Sequence, residues 1–173
     1  NELTATEAAA RIADGTLTSQ ELVQACLDRL AAREPEVRAW IHLDPEHALA
    51  QARAADAALA DGEPKGPLHG VPFTIKDGFD TAGVRTTAAT EGWAQRVPRV
   101  NATVVQRVLD AGAILIGKTN TPELTLSYDT DNLLFGRSYN PYDPSCSPSG
   151  SSGGAAAIVA RGGAAFDIGS DTG

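Results

Sequence analysis

Hydrophobic residues recur at helical spacing in the first third of the chain. Thr4 and Thr18 each stand three residues before a glutamate, which is the capping-box pattern that opens a helix. The first helix is predicted to end at Gly15 and the second at Pro35, because glycine favours a helix end and proline cannot continue the hydrogen-bond ladder. The second helix has one apolar face, formed by Leu22, Val23, Cys26, Leu27 and Leu30.

The pattern changes after a third helix. A short strand is predicted at 39–43, and Asp44 followed by Pro45 opens a helix that runs to Gly62. Beyond it, apolar residues form continuous runs between glycines and prolines, which is typical of buried strands. The predicted elements are a strand at 71–76, a helix at 103–111, a strand at 113–116, a helix at 153–161 and a strand at 164–168. This alternation predicts an α/β fold whose sheet is covered by helices on both faces.

Composition divides the chain at the same place. Residues 1–63 carry 12 acidic and 5 basic side chains but only 2 of the 17 glycines, whereas residues 64–173 are nearly neutral and hold the other glycines. We therefore interpret 1–63 as a helical, acidic part and 64–173 as a core of strands, helices and glycine-built loops.

The formal charge of −8 at pH 7 argues against functions that depend on a basic surface. Neither a nucleic acid nor an anionic membrane is an expected partner. No apolar run reaches the length of a membrane span, and a cytoplasmic location is predicted. Cys26 and Cys146 are too far apart in sequence for a metal-binding pair, and no metal or other cofactor is expected.

Residues 112–119 match the pattern G-x-x-x-x-G-K-[ST] of a phosphate-binding loop, but their context differs. Such a loop follows a strand and leads directly into a helix. Here the predicted helix comes first, the residues between the two glycines form the strand, and Pro122 delays any later helix. The match is therefore rejected, and Lys118 is expected to affect stability rather than chemistry.

A stretch of four serines and three glycines at 147–154 stands directly before an alanine-rich helix. Because it interrupts the alternation of strands and helices, it fits a flexible linker poorly, and two interpretations remain: an anion-binding loop or a catalytic serine loop.

Lys76 ends the strand predicted at 71–76, where α/β proteins bind their ligands. One interpretation is a surface lysine whose stem lies along the strand. The other is a buried, neutral lysine that serves as the base a catalytic serine needs. The three histidines, His42, His47 and His69, lie outside these segments, so a Ser-His-Asp triad is not expected.

Five segments resemble, in order and spacing, the motifs of the amidase signature family. They are 70–77, 112–120, 136–141, 149–154 and 169–173. The resemblance covers essentially the whole chain. It implies that 1–173 is the amino-terminal part of a single amidase signature domain, with a mixed sheet that is incomplete at the C-terminus.

The resemblance also implies a Ser-cisSer-Lys chemistry. A serine attacks an amide carbonyl, a second serine held by a cis peptide bond relays its proton, and a neutral lysine accepts it. Lys76 matches the lysine and Ser151 the relay serine, while Thr172 and Gly173 match part of the oxyanion hole. Positions that support the loop are Gly150, Ser152, Gly153 and Asp171. Residues 126–132 are expected to line part of the substrate pocket.

The family's nucleophilic serine falls at position 175, past Gly173, and Ser170 matches a different position of that motif. The 173-residue chain alone is therefore expected to be inactive. The absence of methionine, including at residue 1, indicates that the chain begins inside a longer reading frame.

The expected function is hydrolysis of the C–N bond of a linear carboxamide through an acyl-enzyme. The expected partner is a small-molecule amide substrate, and a homodimer is a candidate assembly. Within the family, the alternative is the glutaminase subunit of a tRNA-dependent amidotransferase, which works in a complex. The alternative from another class is a non-catalytic α/β scaffold that keeps these loops without the nucleophile.

Overall fold

The computed structural model describes residues 3–171, and in this range five α-helices surround one four-stranded sheet. The α/β prediction is confirmed. In chain order the elements are α1 (Ala5–Ala13), α2 (Ser19–Val37), β1 (Trp40–Leu43), α3 (Pro45–Ala60), β2 (Pro72–Lys76), α4 (Thr103–Asp110), β3 (Ile114–Thr119), α5 (Gly153–Ala160) and β4 (Phe166–Ile168). Short 3₁₀ turns at Glu91–Trp93 and Glu123–Thr125 lie in the connecting segments.

The first three helices begin where the sequence places them. Thr4 Oγ1 accepts a hydrogen bond from Glu7 N at 3.2 Å, and the Glu7 carboxylate accepts one from Thr4 N at 2.8 Å. Thr18 and Glu21 form the same reciprocal pair at the start of α2. The Asp44 side chain caps α3. Each cap satisfies backbone N–H groups that have no partner inside the helix.

The prediction that Pro35 ends the second helix is wrong. Helix α2 continues to Val37 and ends at Arg38, whose φ of 49° is left-handed and whose N–H donates to Glu34 O at 2.9 Å. Pro35 removes only one backbone donor this close to the end, and its fixed φ suits a helix. Burial of Val37 against the core holds the last turn in place.

The sheet is mixed, with strand order β1-β3-β2-β4. Strand β2 is parallel to both of its neighbours, whereas β1 is antiparallel to β3. Strand β3 runs on past the predicted 113–116 because its ladders with β1 and β2 continue to Thr119. Thr74 pairs with Asp167 and Lys76 pairs with Thr119, so these four side chains lie on one face of the sheet.

Helices cover both faces of this sheet, as predicted. On one face, α1, α2, α3 and α5 share a hydrophobic core with Val71, Ile114 and Ile116. On the other face, Val105 of α4 packs with Phe73 and Ile75 of β2. Strand β2 is buried on both sides, which explains its continuous apolar sequence and places its last residue, Lys76, in the interior.

Between residues 3 and 171, no helix has both the length and the apolar composition needed to cross a membrane. The same part of the chain holds no group of three His, Cys, Asp or Glu side chains arranged to bind a metal ion. Cys26 is buried and Cys146 is exposed, and neither forms a disulfide.

Candidate active site

The site is centred on Lys76, the last residue of β2, whose side chain is fully buried. Its Nζ lies 2.6 Å from Ser151 Oγ. The same nitrogen donates to the backbone oxygen of Ser170 at 3.1 Å and contacts Ser170 Oγ at 3.0 Å. The interpretation of Lys76 as a surface lysine is therefore wrong, and the strand brings it to the serine loop.

The surroundings of Lys76 make its ammonium form less stable than it is in water. Burial lowers the pKa of Lys76 to about 8, because the protein interior solvates an ammonium group poorly. The negative charges of Asp167 and Asp171 act in the opposite direction and raise this pKa, but by less than burial lowers it. A lysine with such a pKa exchanges a proton readily near neutral pH.

The serine loop is fixed by side chains from two other segments. Its Gly150–Ser151 peptide bond is cis. Thr121 Oγ1 donates to Ser151 O at 2.9 Å, and Thr130 Oγ1 donates to Ser149 O at 2.8 Å. Gly153 N, at the start of α5, donates to Thr130 Oγ1 at 3.1 Å. These contacts argue against a flexible linker and present the Ser151 hydroxyl to Lys76.

Glycine is required in this loop by close approaches of backbone. A Cβ added to Gly150 would lie 2.7 Å from Ser127 O. One added to Gly154 would lie 2.5 Å from both the backbone N and the backbone O of Asn120, which follows β3 directly. The glycines therefore allow α5 and the loop to pack directly on the chain that leaves the sheet.

Gly154→Ala is expected to destabilise the protein by about 1–3 kcal/mol, because the new methyl group would overlap backbone that cannot move aside. Thermal unfolding measures the effect. Gly92→Ala is the matched control, since its Cβ would meet only Thr90 Oγ1, at 3.9 Å. Equal melting temperatures for the two variants would contradict the packing argument.

The remaining predicted loop residues lie at the same place. Ser152 Oγ donates to Ser170 O at 3.1 Å and accepts from Ser170 N at 3.2 Å, which ties the serine loop to the segment after β4. The negative charge of Asp171 raises the pKa of Lys76. Thr172 and Gly173, the predicted oxyanion-hole residues, lie outside the described residues.

A cavity of about 150 Å³ opens beside Ser151. Its lining consists of Thr125, Leu126, Ser127, Tyr128, Gly150, Ser151 and Asp171. Only the first part of the predicted 126–132 segment lines this cavity. Thr130 and Asn132 instead hold the surrounding backbone, since Thr130 Oγ1 donates to Ser149 O at 2.8 Å and Asn132 Nδ2 donates to Thr121 O at 2.9 Å.

The sequence reasoning missed Thr121 and Asp167, and it predicted Thr130 only as a pocket residue, whereas Thr130 holds the serine loop. Each acts through a side-chain contact between segments that are distant in sequence, so no local spacing signals it. Thr121 had the nearest clue, because it directly follows the 112–120 segment that resembles a family motif.

Lys118 belongs to a separate buried cluster, on the opposite face of the sheet from Lys76. Its Nζ lies 3.3 Å from Asp77 Oδ1, and it donates to Phe79 O at 2.6 Å and to Thr86 Oγ1 at 2.7 Å. Burial lowers the pKa of Lys118 to about 8. The segment 112–119 contains the strand β3 itself, preceded by α4, and not a phosphate-binding loop.

The histidines take no part in this site. Buried His69 accepts a hydrogen bond at Nδ1 from Lys65 N at 3.0 Å, and its Nε2 lies 2.9 Å from Ala55 O. Within the described residues the candidate machinery is therefore a lysine and serines, presented at the carboxyl end of a parallel strand of an α/β sheet. This combination is typical of a hydrolase that works through an activated serine.

Comparisons with known proteins identify the family. The model of the family described as Amidase matches residues 21–173. The chain is 47% identical over 173 residues to a subunit of the glutamyl-tRNA(Gln) amidotransferase of Chloroflexus aurantiacus, covering all of this chain and 36% of that protein. The corresponding protein from Acidothermus cellulolyticus is 48% identical over 173 residues, covering 98% of this chain and 34% of that one.

Comparison with solved structures points to the same family. An amidase crystal structure superposes with a TM-score of 0.92 at 36% identity, covering 98% of this chain and 39% of that one. A fatty acid amide hydrolase superposes with a TM-score of 0.95 at 30% identity, covering 98% of this chain and 30% of that one. The chain belongs to the amidase signature family, and it spans about a third of the length of these relatives.

Proposed function

We propose that the complete protein hydrolyses the C–N bond of a carboxamide through a serine-bound acyl-enzyme, with Lys76 as general base and Ser151 as proton relay. The observation that carries this proposal is the 2.6 Å contact between Lys76 Nζ and Ser151 Oγ, beneath a loop that excludes water from the lysine. Membership of the amidase signature family supports the reaction class.

The contacts of Lys76 suit both protonation states that the reaction needs. As an ammonium ion, it donates its three N–H groups to Ser151 Oγ, Ser170 O and Ser170 Oγ. As a neutral amine, it keeps two donors for Ser170, and its lone pair accepts the Ser151 hydroxyl proton. The proton therefore moves between Ser151 and Lys76 with little movement of heavy atoms.

The reaction then proceeds in two halves. In the first, the nucleophilic serine expected at position 175 loses its proton to Ser151, Ser151 passes its own proton to Lys76, and the serine oxygen bonds to the amide carbon. The proton returns through Ser151 to the leaving nitrogen as the C–N bond breaks. In the second half, water gives a proton to Ser151 as it attacks the ester, the proton returns through Ser151 to the serine oxygen as the acyl C–O bond breaks, and the carboxylic acid leaves.

A serine-directed fluorophosphonate tests the assignment of the nucleophile. In the complete protein, mass spectrometry is expected to find one adduct, at position 175. Loss of carboxamide hydrolysis should follow the extent of labelling. An adduct on Ser151 or Ser170 instead would refute the roles given to these serines, and a residue other than serine at position 175 would favour the scaffold alternative.

The rate of hydrolysis is expected to rise with pH and to reach half its plateau near pH 8. Lys76 accepts a proton only when it is neutral, and burial lowers its pKa to about 8, so the neutral fraction grows as the pH passes this value. Steady-state kcat/KM measured from about pH 6 to 10 checks this, because kcat/KM follows the ionisation of the free enzyme. A flat profile would show that the ionisation of Lys76 does not limit turnover.

The second candidate is the glutaminase subunit of a tRNA-dependent amidotransferase. It is favoured by the 47% identity to proteins named as subunits of glutamyl-tRNA(Gln) amidotransferases. The chemistry at Lys76 and Ser151 is the same, since glutamine is itself a carboxamide. The two candidates differ in their dependence on partners.

Ammonia release distinguishes the two candidates. A free-standing amidase releases ammonia from simple carboxamides as an isolated chain. A glutaminase that belongs to an amidotransferase prefers glutamine and requires its partner proteins for full activity. The assay uses the complete protein, with glutamine and a series of simple amides as substrates.

A further inference from the structure

A buried carboxyl group lies on the same face of the sheet as Lys76. Asp167, in the middle of β4, pairs in register with Thr74 of β2, and Thr74 stands two residues before Lys76 on the same face. Thr74 Oγ1 donates to Asp167 Oδ2 at 2.6 Å, and Thr119 Oγ1 donates to the same oxygen at 3.1 Å.

The two threonines locate this carboxyl group. Thr119 belongs to β3 and Asp167 to β4, and β2 runs between these strands. A carboxyl group that accepts from both Thr74 and Thr119 must therefore reach across β2, next to the stem of Lys76. Thr74, Thr119 and Lys76 are fully buried, so little water screens the charges.

Only one of the two carboxyl oxygens is satisfied by hydrogen bonds. Oδ1 of Asp167 is buried and accepts no hydrogen bond from any residue between 3 and 171. Burial raises the pKa of Asp167 to about 6, while the hydroxyls of Thr74 and Thr119 and the charge of Lys76 lower it. Near pH 8, where Lys76 titrates, the carboxyl group is still ionised.

We propose that Asp167 is a positioning residue for Lys76, and that its buried carboxylate balances the proton that Lys76 holds during acyl transfer. The inference rests on the proposed function. A fully buried base cannot retain a proton unless something stabilises its cation, and its three acceptors on Ser151 and Ser170 are all neutral. Asp167 supplies a negative charge from the neighbouring strand β4.

The other charges near Lys76 are few. Asp171 follows β4 and also raises the pKa of Lys76. Helix α5 consists of glycine, alanine, isoleucine and valine and brings no charge. Strand β3 contributes Thr119 to the face of the sheet that carries Lys76. Lys118 of β3 pairs with Asp77 on the opposite face. Asp167 is the larger of the two acidic influences on Lys76.

Asp167→Asn in the complete protein tests the proposal. Asparagine keeps an oxygen for Thr74 and Thr119 but removes the charge. The ionisation of Lys76 is followed by NMR of protein labelled with ¹³C at lysine Cε, with the signal assigned from its absence in Lys76→Arg. Without Asp167 the cation loses support, so the titration midpoint is expected to fall by about one pH unit. The rising limb of the pH profile of kcat/KM should move with it.

Thr74→Val is the matched control. It removes a hydrogen bond from the same carboxyl group and costs stability, but it leaves the charge in place near pH 8. The Lys76 midpoint should then stay where it is in the parent protein. An unchanged midpoint in Asp167→Asn, or an equal shift in both variants, would overturn the proposal in favour of a structural role.

A reciprocal measurement covers the case in which Asp167→Asn does not fold. Because the two groups are coupled, Lys76→Met must raise the pKa of Asp167, which ¹³C carboxyl NMR detects. An unchanged Asp167 pKa in that variant would overturn the proposal. Neither titration needs a substrate. A protein that shows the coupling but hydrolyses no carboxamide would refute only the proposed function, and hydrolysis without coupling would refute only the role of Asp167.

Discussion

Lys76→Ala is expected to lower kcat for carboxamide hydrolysis by about 10²- to 10⁴-fold in the complete protein, with the fold retained. The alanine cannot take up the proton of Ser151, whose hydroxyl lies 2.6 Å from Nζ in the parent protein. The nucleophile would then have to lose its proton directly to water. Single-turnover kinetics measure the loss, and circular dichroism establishes that the variant is folded.

Lys76→Arg separates a base from a fixed positive charge. An arginine stays protonated at every working pH, so this variant should remain inactive up to about pH 10, where the parent enzyme is fastest. Substantial activity in Lys76→Arg would mean that position 76 contributes only charge. Lys118→Ala is the control for the loss of a buried lysine as such, because Lys118 lies on the opposite face of the sheet from Lys76.

Much of the fold follows from local signals in the sequence. The two capping boxes and the Asp44-Pro45 pair mark helix starts because they satisfy backbone donors within a few residues. The end of α2 was mispredicted because it depends on Arg38 in a left-handed conformation and on the burial of Val37, which is a tertiary contact. The local helix rule for Pro35 predicts neither the conformation of Arg38 nor the burial of Val37.

The extension of β3 has the same cause. Lys118 and Thr119 lie beyond the apolar run, which stops at Ile116, so the hydrophobic pattern does not extend the strand to them. They continue the strand because β1 and β2 lie on either side of them and pair with their backbone. A neighbouring strand is a property of the fold, and the hydrophobic pattern of one segment does not predict where its partners end.

The candidate site also contains residues that have a local sequence signal and residues that have none. Local context indicates only a serine-glycine loop and a lysine at the end of a buried strand, and the choice of Ser151 and Lys76 as a pair follows from the resemblance to the amidase signature family. Asp167 was missed, because an aspartate between Phe166 and Ile168 resembles any polar residue on the outer face of a strand. Its contacts with Thr74 and Thr119 exist only once the three strands are in register.

Lys118→Ala is expected to lower the free energy of unfolding by about 3–5 kcal/mol at pH 7. Asp77 is fully buried, and Lys118 is its cationic partner at 3.3 Å. Removing the lysine leaves a carboxylate without its counter-ion, and Phe79 O and Thr86 Oγ1 lose a donor. Chemical denaturation measures the loss.

The double variant Lys118→Ala with Asp77→Asn identifies the cause. Asparagine still accepts from Thr87 N and Thr87 Oγ1, which donate to Asp77 Oδ2 at 2.9 and 2.6 Å, but it carries no charge. If the unpaired carboxylate is what destabilises the single variant, the double variant should recover part of the stability. A double variant as unstable as the sum of the two single variants would instead assign the loss to packing and hydrogen bonds. A fall in kcat like that of Lys76→Ala, with unchanged unfolding, would place Lys118 in the chemistry and contradict the separation of the two lysines.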